Sequence, residues 1–322
     1  RASAPSVASI TDHGSGMVTP SADDIVDTAD LSTEIAQRTA AGDHLVWIRP
    51  ADDPAAAMMT STSGRCTLLR RTPLHIARGN DAQAWHVGRA QMGYRDLIPD
   101  RWYGRFIASH IRVPTAGEVP DSVHHHDVRF QFLAVRRGAV QVVYEDQGDP
   151  FWMTAGDVVL QPPHIRHRVL ATEGDFEIVE IGAPADHLTE MDHQMMLPNG
   201  TGDPQRRWSG QRFVFDRPGD SATVGWDCAG VAAEPTAIAD ATDGLVHVER
   251  LTADDMAIAV TRTPLEFRFM FVMEGTAIVH IATSDEPLHL NTTDAVTLPP
   301  AAAITDMEIG DGWILDVRVP AT

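Results

Sequence analysis

The stretch HHHDVRFQFLAVRRG, residues 124–138, places three adjacent histidines in front of an apolar run that closes on a glycine. In a β-strand, side chains two positions apart share a face, so the pattern aims His124 and His126 at a common point and turns His125 away. Around it lie further short runs, among them RFIASHIRV, AVQVVYE, GDVVLQ and FEIVEIG, broken by Gly, Pro and Asp. That texture predicts an all-β chain from about residue 66 onward.

The same texture resumes after a polar, turn-rich interval, MDHQMMLPNGTGDPQRRWSG (191–210), in LVHVERL, FRFMFVMEG, TAIVHIA and WILDVRV. A single shift of 137 positions overlays RFQFLAVRRG on EFRFMFVMEG, with Gly138 on Gly275, and GDVVLQPP on TDAVTLPP. It also carries FEIVEI (176–181) onto WILDVR (313–318). Three separated segments at one offset imply a duplicated β-domain. The expected organisation is an extension over 1–65, a first barrel over 66–190, a linker over 191–210 and a second barrel over 211–322. Within the extension, residues to about 22 are rich in Ser, Ala, Gly and Pro. The spacing of Ile25, Ile35 and Ala36 then suggests a short helix or two before a strand at LVWI.

At 322 residues the chain is long enough for two cores. All 25 positive charges are arginines, so lysine Schiff-base chemistry is excluded. With 45 acidic residues the formal net charge is −20, which argues against nucleic acid or an anionic membrane surface as partner. Cys66 and Cys228 form neither a disulfide framework nor a CxxC site, and no apolar run approaches the length that spans a bilayer. A reducing, cytoplasmic setting is the simpler expectation. The start at Arg1 rather than Met leaves room for a preceding segment.

A metal ion needs donors converging from more than one strand. GDVVLQPPHIRHRVL supplies the second contribution, His167 with His164 nearby, after a Gly-Asp turn, a strand and a Pro-Pro corner. With these residues in place the chain resembles the cupin superfamily. Its first motif, His-x-His, four residues, Glu, six residues, Gly, is matched by His124, His126, Gln131 and Gly138, with glutamine in place of glutamate. Its second, Gly, five residues, Pro, x, Gly, two residues, His, is matched by Gly156, Pro162 and His167, with His164 where the second glycine would stand. The resemblance covers about residues 66–190 directly and, through the repeat, most of 208–322. It implies two jelly-roll barrels and one divalent metal, held in the first barrel by His124, His126 and His167. Gln131 is the fourth donor or the partner that orients a ligand. The shift places Thr261, Thr263, Arg268 and Ile304 where those four stand, so the second barrel lacks the donors.

Each of these residues also has a plainer reading. HHH can be a polar strand end in solvent, and Gln131, five positions after His126, has the opposite strand parity unless a bend intervenes. His125 and His164 read as rim residues, and Arg129, Arg166 and Arg168 as solvated or salt-bridged. An arginine at the mouth would suit a substrate carboxylate. His75, His86, His110, His187 and His193 have no metal-ligand spacing, and Trp85, Trp102, Tyr103 and Trp152 suit a core or a cavity wall. Gln131 and His164 are the candidate catalytic residues, with Tyr144, Glu180 and His110 as further acid or base groups.

Three imidazoles and an amide are neutral, so a bound dication keeps its charge and favours anionic oxygen. Fe(II) is the favoured ion, and Ni(II), Co(II), Zn(II) or Cu(II) suit the same donors. Two reaction classes follow. One is a dioxygenase acting on a small anionic aromatic or a diketone or enol, as the resemblance to gentisate-type two-barrel cupins implies. The other is an oxygen-independent Lewis-acid isomerase or cyclase. A ligand-binding module without catalysis is the third reading, and no DNA-binding helix or basic segment supports it. The expected partners are a small, anionic substrate and a second copy of the chain, paired through barrel edges.

Overall fold

The computed structural model describes the backbone of residues 25–28, 44–46, 56–60 and 66–71. Beyond these it describes residues 74–88, 92–102, 104–113, 115–260, 265–282, 284–299 and 302–321. The chain forms two compact units, Arg1–Leu74 with Leu298–Ala302, and His75–Thr297 with Ala303–Thr322. In the first, β1 (Ile25–Thr28), β2 (His44–Val46), β3 (Ala56–Thr60) and β4 (Cys66–Arg71) form a four-stranded sheet in the order β1-β4-β3-β2. Ile25, expected in a helix, instead opens a strand that pairs in parallel with β4. Ile35 and Ala36 lie outside the described residues.

The second unit opens with β5 (His75–Ala77), β6 (Trp85–Val87), β7 (Gly93–Asp96), β8 (Ile107–Val113), β9 (Gly117–Glu118) and β10 (His124–His126). β11 (Phe130–Tyr144), β12 (Phe151–Thr154), β13 (Val158–Leu160), β14 (His167–Ala183) and β15 (Thr189–Met191) follow. A small hairpin, β16 (Arg207–Trp208) and β17 (Gln211–Arg212), straddles the end of the linker interval before β18 (Val214–Asp216). The second half contains β19 (Val224–Gly225), β20 (Val231–Pro235), β21 (His247–Ala253), β22 (Leu265–Glu274), β23 (Thr276–Ile281) and β24 (Leu288–Asn291). It ends with β25 (Ala295–Leu298), β26 (Ile304–Ile309) and β27 (Trp313–Pro320).

What makes the first half a barrel is the bending of two long strands. β11 and β14 pair antiparallel along their length, with register breaks around Arg137 that bend both. Gly138, at φ +72, sits in that bend, where a Cβ would meet the Glu173 carbonyl oxygen at 2.7 Å. Each strand therefore serves two sheets: one runs β18-β13-β11-β14-β8-β7-β6, and the other is completed by β12, β9 and β10. In the second half the same bend, at Gly275 with φ +85, separates β22 from β23. The sheets there are β19-β20-β21-β27-β22-β25-β5 and β24-β23-β26. This is the expected all-β, two-barrel jelly roll.

The repeat is visible in the hydrogen bonding. Val135 N–H donates to Asp157 O and Gly156 N–H to Val135 O, as Val272 does to Asp294 and Thr293 to Val272. The third segment is the exception. Phe132 faces Ile181 in register, whereas Phe269 faces Val317, not Arg318. The turn between Ile309 and Trp313 is one residue shorter than the turn between Thr172 and Glu177, so the offset there drops by one.

Strand parity divides the side chains between two cores. Phe130, Phe132, Val179 and Ile181 point out of barrel one and pack with Phe267, Phe269 and Val317 of barrel two in one buried cluster. The Phe106 and Phe267 rings stack there at 4.1 Å. Each phenyl ring so buried stabilises the chain by roughly 2 kcal/mol. Val135, Val142, Tyr144, Val159 and Ile178 pack together in the interior of barrel one.

Candidate metal centre

β10 and the start of β14 lie side by side with His124 opposite His167, which joins the two histidine motifs. The candidate ligand atoms of His124, His126 and His167 all lie within 4.8 Å of one another. Their ring centroids are 5.1 Å (His124–His126), 4.3 Å (His124–His167) and 5.3 Å (His126–His167) apart. His125 turns the other way, as alternation requires, and meets His164 at 5.6 Å.

The other ring nitrogen of each histidine is held. His124 Nδ1 is 2.7 Å from the Ser122 carbonyl, and His167 Nδ1 is 3.0 Å from the Ile165 carbonyl. A carbonyl only accepts, so both neutral rings carry their proton on Nδ1 and present Nε2 as the lone-pair atom. Thr189 Oγ1 lies 2.9 Å from His126 Nδ1 and gives the same tautomer when it accepts. Thr189 reaches this place because β15 pairs antiparallel with β10, with His126 opposite Thr189. Asp121 braces the set: its Oδ1 is 3.7 Å from His124 Nδ1 and its Oδ2 accepts from the Val169 N–H.

Gln131 joins the interior because residues 127–129 between β10 and β11 are not strand, so parity counted from His126 does not carry across. Its Nε2 donates to Glu180 Oε1 at 2.7 Å. Its Oε1 is buried without a hydrogen-bond partner. Three converging lone-pair imidazoles are donors that a divalent metal takes, so these residues fit the ion that the fold implies, and the orphaned amide oxygen lies in the same barrel. Tyr144 stands opposite His167 in register, and the two rings stack at 5.4 Å. Gln161 Nε2 donates to the Tyr144 hydroxyl at 2.8 Å. Burial raises that hydroxyl's pKa; the Gln161 hydrogen bond opposes the rise, and the charge of Glu180 adds to it. Glu180 therefore acts on the same chamber.

Several expected residues sit elsewhere. His164 is exposed, at φ +66, with Nε2 3.5 Å from Asp127 Oδ1. Its left-handed backbone explains why the motif's usual residue is glycine. His110 is buried on the outward face of β8, between Arg95 at 3.2 Å and Glu177 at 2.9 Å, and its ring meets Phe271. Trp102 is in the inter-barrel core, Trp152 is exposed, and Tyr103 lies outside the described residues. Arg129 lies near Glu266 and Arg166 bonds Asp192. Sequence reasoning did not single out Thr189, Asp121, Gln161 or His187, whose ring lies 5.4 Å from His126. Gln161 lies within the second motif at a position the motif leaves open, and the other three come from segments outside both motifs.

In barrel two, Arg268 and Asp316 take the places of Gln131 and Glu180, and Ile304 that of His167. The Arg268 guanidinium is held by Asp316 at 3.2 Å and Asp227 at 2.5 Å, and Trp226 Nε1 donates to Asp316 at 3.0 Å. A buried, ion-paired cation thus stands at the place of Gln131. Thr261 and Thr263 lie outside the described residues.

No protein-family profile and no curated protein matches the chain. Solved structures do. Protein Ylba from E. coli superposes with a TM-score of 0.54 at 9% identity, over 76% of this chain and 90% of its own. Salicylate 1,2-dioxygenase from Pseudoaminobacter salicylatoxidans, in complex with gentisate, gives 0.51 at 15% identity, over 77% and 82%. Oxalate decarboxylase from Bacillus subtilis gives 0.52 at 11% identity, over 76% and 77%. The chain has the fold of the two-barrel cupins.

Proposed function

We propose that this chain is a metal-dependent bicupin enzyme, a dioxygenase acting on a small anionic aromatic or a diketone or enol substrate. The observation that carries the reading is the convergence of His124, His126 and His167, with their ligand atoms within 4.8 Å, inside barrel one. Those three would hold the ion through Nε2, and the orphaned Gln131 Oε1 would be the fourth donor. When bound, a redox-active divalent ion such as Fe(II) supplies a Lewis-acid centre and a route to oxygen. Ser122, Ile165 and Thr189 fix the imidazoles in the binding tautomer. Tyr144 and Gln161 form a hydrogen-bonded wall, and Glu180 orients the Gln131 amide. The name and bound gentisate of one structural neighbour support a substrate of this kind.

The test is metal content with oxygen uptake. The purified chain should carry about one transition-metal ion, lose it in His126→Ala, and consume oxygen with a catechol, a hydroxybenzoate or a 1,3-diketone. Conversion of the same compounds without oxygen would support the isomerase or cyclase reading instead. A metal-free chain indifferent to His126→Ala would refute both.

A further inference from the structure

We infer that Glu180 selects the substrate: it favours a ligand with an O–H beside its metal-binding oxygen, an enol or a catechol, over a carboxylate. The inference rests on the metal-centre reading above. A glutamine at position 131 leaves the donor set neutral, which from the motif alone favours any anionic oxygen. The fold puts a carboxylate back, one residue away from the donors. Glu180 Oε1 accepts from Gln131 Nε2 at 2.7 Å, and the Glu180 charge acts on Tyr144, whose ring lies on His167.

A carboxylate has about four acceptor sites and no proton to give. A second carboxylate on the metal would face it with like charge, the kind of repulsive element from which specificity is built. A ligand O–H next to the coordinating oxygen would instead donate a charge-assisted hydrogen bond to it. Several arginines of barrel one that could have offset a substrate carboxylate are engaged by protein carboxylates. Arg166 bonds Asp192, Arg136 and Arg137 bond Glu177, and Arg206 bonds Asp146 and Glu145. Barrel two shows the alternative solution at the same two positions. There the acid, Asp316, is paired with a guanidinium, Arg268, and that interior is closed by the protein's own ion pair.

The experiment loads the full chain with Co(II) and follows its visible bands during titration with two chelating ligands, catechol and oxalate. Catechol should bind at least about tenfold more tightly than oxalate. Glu180→Gln should move the ratio of the two dissociation constants, both measured on the Co(II)-loaded fraction, at least about tenfold toward oxalate. An unchanged ratio in Glu180→Gln overturns the inference. Should that variant lose Co(II), the wild-type ratio decides, and oxalate binding as tightly as catechol overturns it. Failure of the wild-type chain to take up Co(II) is a different result: it removes the metal centre, and the selection with it.

Discussion

Gln131→Glu should create a proton-binding site that metal displaces. The new carboxylate would stand where the Gln131 amide now lies 2.7 Å from Glu180 Oε1, in an interior where Gln131 is 1% exposed. Two like charges about 4 Å apart repel by about 4 kcal/mol at an effective dielectric of about 20. Spread at about 1.4 kcal/mol per pH unit, that holds one shared proton on the pair to about three pH units above the ordinary carboxylate range. Near pH 7 the metal-free variant should carry that proton, and metal binding should release it. Calorimetry of Zn(II) binding in buffers of different ionisation enthalpy counts the protons released, and the variant should release up to about one more than wild type at pH 6–7. Equal proton release, with equal stability of the two metal-free chains, would show that Gln131 and Glu180 do not share the chamber, and would refute the reasoning.

Thr189→Ala removes the Nδ1 partner of His126 and should weaken metal binding about tenfold to a hundredfold, while Thr189→Ser retains it; competition with a chromophoric chelator reads both. Acid should weaken the fold in two windows. Burial lowers the His110 pKa against the Glu177 hydrogen bond, and Arg95 and Arg136 lower it further, so the folded ring stays neutral. Below its ordinary value of 6.5 the unfolded chain binds more protons, and stability falls with pH from there. Glu177 is raised by burial but held down at about 2 by His110, Arg136 and Arg137. Its contribution is complete above 4.5 and drains as pH falls through about 2. Melting temperatures from pH 8 to 3 should show both slopes, and His110→Asn should abolish the upper one.

The histidine trio was legible because two of its members share a strand face and the third ends a motif of fixed spacing. Gln131 was legible only as a position. Its parity looked wrong because residues 127–129 are not strand, and nothing in the spacing announced Glu180, which arrives on β14. Thr189 could not be foreseen, because it depends on β15 returning over β10 after an irregular stretch. The duplication was visible where hydrogen-bonded turns conserve length and misread by one residue at Thr172–Glu177, where the second barrel shortens its turn. His110, one of the further acid or base groups, packs in the core between Arg95 and Glu177, a face that alternation alone does not choose.

Two short edge strands change places between the halves. β5, from ahead of barrel one, pairs with β25 in barrel two, and β18, from beyond the linker, pairs with β13 in barrel one. Arg250 of barrel two fastens the second exchange, reaching Gly156 O at 2.9 Å and Asp216 at 2.8 Å. Cutting the chain between the halves would leave each with an open flank, so neither can be discarded as a spare part. The half in which Ile304 stands at the place of His167 lends a ribbon to the half that gathers the three imidazoles, and so completes its flank.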